Sequence, residues 1–195
     1  MKKYVLLSLC LVLLLALGSC GSSRSENNGN EADMQEFPSF TGLDLDGNSV
    51  NSDIFSENSV TVVNFWFSSC SPCIGELSEL DSLNQELKEK GGAVIGINTD
   101  TLNGDNSMIE EAKKILMQQK ASYRNLYFDS NSGDAMDFAN SITSFPTTYL
   151  VDRSGNIIGE PLRGSIDNEA SMKMLKEQID KIIKDDKDVP YQDNE

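Results

Sequence analysis

Eight residues, Val60-Thr61-Val62-Val63-Asn64-Phe65-Trp66-Phe67, lead directly to Cys70-Ser71-Pro72-Cys73, and a helical pattern follows. A short apolar run bounded by turn-forming residues predicts a buried strand. Ile74, Leu77, Leu80, Leu83 and Leu87 then recur at helical spacing from Pro72 to Lys90, and Gly91-Gly92 ends the pattern. The two cysteines therefore sit where a strand passes into a helix. A thiol at a helix start faces unpaired backbone N–H groups and the positive end of the helix dipole. Both favour the thiolate, which is the reactive form. The pair reads as a redox couple.

The rest of the chain builds an α/β domain around that junction. Thr41 to Val50 alternates about Asp46-Gly47-Asn48 and predicts a β-hairpin. Ala93 to Asn98 is a short continuous apolar strand of the kind found in parallel sheets. Ser107 to Lys120 predicts a helix with Met108, Ile109, Ala112, Ile115 and Leu116 inward, and Ser107 with Glu110 has capping-box spacing. A strand at Arg124–Asp129, a short helix at Asp134–Ser141, and a hairpin from Thr147–Asp152 to Ile157–Gly159 follow. Asp167–Ile183 is a last amphipathic helix. The expected fold is a mixed central sheet with helices on both faces.

The ends read differently. Residues 1–19 have a basic start (Lys2, Lys3), an apolar stretch from Tyr4 to Leu17 and small residues before Cys20, the layout of a secretory signal. Its apolar core is short for a membrane span. Leu17-Gly18-Ser19-Cys20 resembles a bacterial lipoprotein signal, which implies that Cys20 carries lipid after cleavage. Residues 20–36 are polar and low in complexity and predict a flexible tether. The domain is expected over 37–183, and 184–195 as a charged tail.

Two absences narrow the chemistry. The chain of 195 residues has no histidine, which removes Ser-His-Asp and Cys-His catalysis and His-ligated metals. Its four cysteines include Cys10 and Cys20, so a zinc site built on Cys70 and Cys73 lacks further ligands, and no metal or other cofactor is expected. The formal net charge of −15 argues against nucleic acid as a partner.

Val63-Asn64-Phe65-Trp66, Cys70-Ser71-Pro72-Cys73 with Glu76, Val94-Ile95-Gly96-Ile97-Asn98, and Phe145-Pro146-Thr147-Thr148-Tyr149-Leu150-Val151-Asp152 with Gly155-Asn156-Ile157 together resemble the thioredoxin superfamily. Within it the chain is similar to the membrane-tethered extracytoplasmic thiol–disulfide oxidoreductases of the TlpA/ResA type. The resemblance implies a thioredoxin fold with an added N-terminal hairpin. It implies Cys70 as the exposed nucleophile and Cys73 as the thiol that resolves the mixed disulfide. It implies a cis bond before Pro146, facing the dithiol, with the Phe145 backbone free to pair with an extended substrate. Glu76 is implied to lie buried below the cysteines, where it exchanges the proton of the resolving thiol. Trp66 matches a family tryptophan and joins Pro72, Phe145 and Pro146 as an expected substrate contact. Ser69 departs from the family, which often has an aromatic residue immediately before the first cysteine.

The implied activity is reduction of disulfides in exported proteins, apocytochrome c first among them, with electrons from a transmembrane thiol–disulfide carrier. Supply of electrons to an extracytoplasmic methionine sulfoxide or peroxide reductase is an alternative. So is a disulfide-forming oxidase that runs the same cysteines in reverse. A peroxidase of the peroxiredoxin type has Pro and Thr seven and three residues before its cysteine, and Val63 and Phe67 stand there. A binding module without turnover is the reading from outside enzymology.

Overall fold

The computed structural model describes residues 35–188. The leader, Cys20 and most of the expected tether lie outside them, as do residues 189–195.

Seven strands form one mixed sheet: β1 (Thr41–Asp44), β2 (Ser49–Asn51), β3 (Val60–Trp66), β4 (Gly92–Asn98), β5 (Arg124–Phe128), β6 (Thr147–Asp152) and β7 (Leu162–Arg163). Four α-helices flank it: α1 (Ser71–Lys88), α2 (Asn106–Gln118), α3 (Gly133–Ser141) and α4 (Glu169–Asp188). The strand order is β2-β1-β5-β4-β3-β6-β7. β3, β4 and β5 run parallel, while β6 and β1 add to them antiparallel. The predicted N-terminal hairpin thus extends the sheet beyond β5, and the expected thioredoxin fold is observed.

β3 is buried throughout because it is central. Val60, Val62 and Trp66 pack with Leu77, Leu80 and Leu87 of α1 and with Leu175 and Ile179 of α4. Val63 and Phe65 face the other way, into a cluster with Phe37, Phe40, Phe55, Phe128 and Ala135 and Ala139 of α3. Aromatic rings dominate this second core. Phe37 meets Phe55 at 5.2 Å, and Phe40 meets Phe128 at 5.0 Å, in tilted or edge-on contacts.

Two turns repeat one local pattern. In Asp44-Leu45-Asp46-Gly47-Asn48 the Asp44 carboxylate accepts from the backbone N–H groups of Asp46 and Asn48, at 3.0 and 2.9 Å. In Asp152-Arg153-Ser154-Gly155-Asn156 the Asp152 carboxylate does the same for Ser154 and Asn156, at 2.9 and 2.8 Å. Gly47 and Gly155 take φ of 87° and 86°, a conformation that costs a side chain energy.

Four boundaries differ from expectation. α2 is capped by Asp105, whose carboxylate accepts from Ser107 and Met108 N–H, rather than by Ser107 with Glu110. An acidic acceptor two residues upstream also suits the helix dipole. The expected strand at Ile157–Gly159 is a single bridge from Ile157 to Val151. Gly159 then turns with φ of 72°, Pro161 has no N–H to donate, and pairing with β6 resumes at Leu162–Arg163. Gln35 and Glu36, expected in the tether, pair with the domain instead: Gln35 O accepts from Ile157 N–H at 2.7 Å, and Glu36 bridges to Asn156. α4 runs to Asp188 instead of ending at Ile183, because Asp186 is held by Arg153 and Ser59.

Candidate active site

Cys70 and Cys73 are disulfide-bonded, with a Cα–Cα distance of 5.2 Å. Cys70 occupies the N-cap of α1 in extended conformation, and its sulfur accepts from Cys73 N–H at 3.3 Å. Pro72 follows within the first turn, where a missing N–H costs nothing because those groups have no partner in the helix. Ser71 and Pro72 are exposed. Cys73 has no exposed surface, and Cys70 keeps 6% in this oxidised state, so the expected exposed sulfur is nearly covered.

The Phe145–Pro146 peptide bond is cis. Pro146 O accepts from Gly164 N–H at 2.9 Å, which joins this loop to the segment after β7. Phe145 is half-buried and packs edge-on against Phe67 at 5.1 Å. Cys70 N–H in turn donates to Phe67 O at 3.1 Å. Phe67 therefore bridges the two halves of the site. It supplies an aromatic wall that the sequence, with Ser69 before Cys70, did not suggest.

Trp66, expected as a substrate contact, lies in the core. It has no exposed surface, and its indole Nε1 donates to Asn125 Oδ1 at 2.8 Å. The bond crosses β4 at Gly96. A Cβ there would collide with the Asn125 side chain, so Gly96 leaves the space in which the bond forms. Asn125 is fixed from its other end by donating to Tyr123 O at 3.1 Å. Trp66 is core, held by residues from two further strands.

Glu76 sits one helical turn beyond Cys73 and is completely buried. Its Oε1 accepts from Asn64 Nδ2 at 2.8 Å, and its Oε2 accepts from Ile166 N–H at 2.7 Å. Burial pushes the carboxyl above its ordinary range. The bonds from Ile166, Asn64 and Ser165 pull it back, and the Asp167 charge raises it further. Asn64 also donates to Thr148 Oγ1 at 3.0 Å, so the network spans β3, α1, β6 and the loop before α4. Tyr123 lies in the same core; burial and the Glu76 and Asp81 charges hold its hydroxyl well above the usual range. Asn64, Thr148 and Ile166 were not singled out from sequence. The available signal was a polar residue in the middle of an apolar strand.

Chemically, the arrangement offers a two-electron dithiol–disulfide couple at a helix N-terminus. A buried carboxyl lies one turn further on, and an aromatic pair and a cis-proline loop lie alongside.

The AhpC/TSA family matches residues 34–159, and the chain belongs to it. The chain is 26% identical over 188 residues to the thiol-disulfide oxidoreductase ResA of Bacillus thuringiensis subsp. konkukian, covering 93% of this chain and 99% of that one. Among solved structures, the thioredoxin domain of a thiol-disulfide oxidoreductase from Bacteroides vulgatus superposes with a TM-score of 0.56. It is 29% identical and covers 72% of this chain and 95% of that one. A thiol:disulfide interchange protein from Bacteroides sp. gives 0.58 at 29% identity, covering 73% and 88%. Family, fold and relatives agree with the site: the chain is a thiol–disulfide oxidoreductase of the thioredoxin superfamily, similar to ResA.

Proposed function

We propose that this AhpC/TSA-family chain is a lipid-tethered extracytoplasmic reductase that reduces disulfides in exported proteins by exchange through Cys70 and Cys73. The observation that carries the reading is the Cys70–Cys73 disulfide at the N-terminus of α1, with the Phe67–Phe145 pair alongside. In the reduced protein, the Cys70 thiolate attacks one sulfur of a substrate disulfide. A mixed disulfide forms, and the other substrate sulfur leaves as a thiolate that takes up a proton. Cys73 then gives its proton to Glu76 and attacks the Cys70 sulfur. The second substrate thiol departs and the Cys70–Cys73 disulfide remains. Two electrons have passed from the dithiol to the substrate, and a transmembrane thiol–disulfide carrier restores them.

Pro72, Phe145 and Pro146 form the substrate-facing surface in this reading, with the Phe145 backbone as the pairing edge. The tether rests on the leader pattern and Cys20, which lie outside the described residues. Among the described residues no helix is long and apolar enough to cross a membrane. The first substrate class is proteins with paired cysteines awaiting haem attachment, such as apocytochrome c. Electron supply to a methionine sulfoxide or peroxide reductase is the second. A peroxidase is disfavoured because Val63 is buried in the phenylalanine-rich core and Phe67 packs on Phe145, where a peroxiredoxin site has Pro and Thr.

The midpoint potential of the pair separates reductase from oxidase. The reductase reading expects a value near the thioredoxin range, about −270 mV. A value near about −120 mV, typical of strong disulfide donors, would overturn it in favour of the oxidase.

A further inference from the structure

Asn64 Oδ1 is a buried acceptor with no hydrogen-bond partner among the described residues. The same side chain spends both of its N–H groups on Glu76 Oε1 and Thr148 Oγ1. Asn64, Glu76 and Thr148 are each 0–1% exposed. An unpaired buried acceptor is costly, so a chain that keeps one beside its active site needs a reason.

The proton on Glu76 supplies one. A carboxylate only accepts, and Asn64 Nδ2 serves it well. A protonated carboxyl must donate one bond. Its Oε2 faces Ile166 N–H, itself a donor. The Ser165 hydroxyl beside the carboxyl is the other group able to accept that proton. Its Oε1 faces Asn64, which in this orientation presents another donor. Turned about its Cβ–Cγ bond, however, the amide fills the same volume and presents Oδ1 to both neighbours. Glu76 O–H and Thr148 O–H then both donate to it.

We infer that Asn64 is a positioning residue for Glu76, and that its amide reverses whenever Glu76 gains or loses its proton. The two states keep the Glu76–Asn64–Thr148 contacts and swap their direction. Glu76 thereby holds one position in both steps of a redox cycle, and the proton moves without rearrangement of α1. The other groups facing Glu76 are Asp167 from the loop before α4, Tyr123 from the start of β5, the Ser165 hydroxyl and Cys73 on its own helix. Asp167 acts on the midpoint of the titration. The inference is separable from the catalytic role given to Glu76 above: it concerns how the carboxyl is held, whatever the proton is used for.

The test is a pH titration of the full chain labelled with 15N in asparagine and 13C in glutamate, in both redox states. The two Asn64 side-chain N–H resonances are expected to shift with the same midpoint as the Glu76 carboxyl carbon. Asn64 resonances that stay flat while the Glu76 carbon titrates would overturn the inference. Kinetics supply a second arm. Asn64→Leu removes the donor to the carboxylate, raises its pKa and moves the pH profile of mixed-disulfide resolution to higher pH. A shift of one pH unit lowers the rate on the acid limb about tenfold. In a Glu76→Gln background Asn64→Leu is expected to change the profile no further. Where Glu76→Gln does shift the profile, a folded Asn64→Leu protein whose profile superimposes on the native one overturns the inference. Glu76→Gln with a native profile, alongside Asn64 signals that still track Glu76, sinks only the catalytic role of Glu76.

Discussion

Ile166 N–H donates to Glu76 Oε2 at 2.7 Å, across ninety positions of sequence. Glu76 lies on the helix that starts at the dithiol, and Ile166 lies in the segment that leads into α4, itself 1% exposed. A carboxyl on the active-site helix is thus satisfied by backbone from the far end of the domain. The backbone dipole of Ile166 meets the carboxyl from a fixed position.

Glu76→Gln tests what that carboxyl does. General acid–base groups contribute roughly 10²–10⁴-fold, so disulfide reduction at pH 7 should fall about tenfold or more. Stability should respond in the opposite sense at high pH. Burial raises the Glu76 carboxyl in the folded state. Its contribution is therefore fully present below the ordinary carboxylate range and is lost as pH rises through the raised value. The variant cannot ionise, so chemical denaturation from pH 4 to pH 9 should show a flatter profile than the native chain. An unchanged slope would contradict the assignment.

Trp66→Phe separates core from contact. The substitution removes the indole N–H and leaves Asn125 Oδ1 buried without its partner, at a cost of about 1–2 kcal/mol in urea unfolding. Turnover per folded molecule should stay at the native level. A rise in KM without loss of stability would restore Trp66 as a substrate contact.

Phe67→Ala carries the opposite expectation. Phe67 packs edge-on against Phe145, and its carbonyl holds Cys70 N–H. Removing the ring leaves the backbone bond in place and strips the wall beside the dithiol. Substrate KM should rise severalfold while the potential of the pair stays put. Aromatic pairs are worth about 0.5–1.5 kcal/mol, which sets the scale of the effect. Steady-state kinetics with a disulfide peptide would read it, and an unchanged KM would count against the wall.

Arg153→Ala should fray the end of α4. Arg153 Nε and Nη2 donate to Asp186 Oδ1 and Oδ2 at 2.8 and 3.0 Å, Nη1 donates to Ser56 O, and Ser59 Oγ donates to Asp186 Oδ2 at 2.7 Å. The Arg153 guanidinium holds the Asp186 carboxyl below its usual range. The pair therefore stabilises above the ordinary carboxylate range and loses that contribution as pH falls. The expected loss is about 1 kcal/mol, the upper end for a solvent-facing pair with fork geometry. Faster amide exchange in the last turn of α4 at pH 7 would locate it there.

These elements also show how far the sequence could be read. The strand–dithiol–helix unit was visible because β3 is apolar on both faces and Cys70-Ser71-Pro72-Cys73 marks its end. Residues whose roles depend on distant partners were hidden. Asn64 looks like one polar letter in an apolar run until Glu76 and Thr148 close on it. Nothing local to Trp66 shows that Gly96 opens a path to Asn125. The last helical turn was assigned to a loose tail because Arg153, thirty-three residues upstream, is what ties Asp186 down. Each miss is a long-range packing event, and single-chain periodicity has no access to those.

The central claim is that Cys70 attacks and Cys73 resolves. Its most direct measurement is mass spectrometry of Cys73→Ser and Cys70→Ser proteins, each reduced and then mixed with a disulfide substrate. The account predicts that Cys73→Ser accumulates a one-to-one mixed disulfide on Cys70 that dithiothreitol releases, and that Cys70→Ser accumulates none. Equal adducts on both variants, or native turnover by either one, would contradict it.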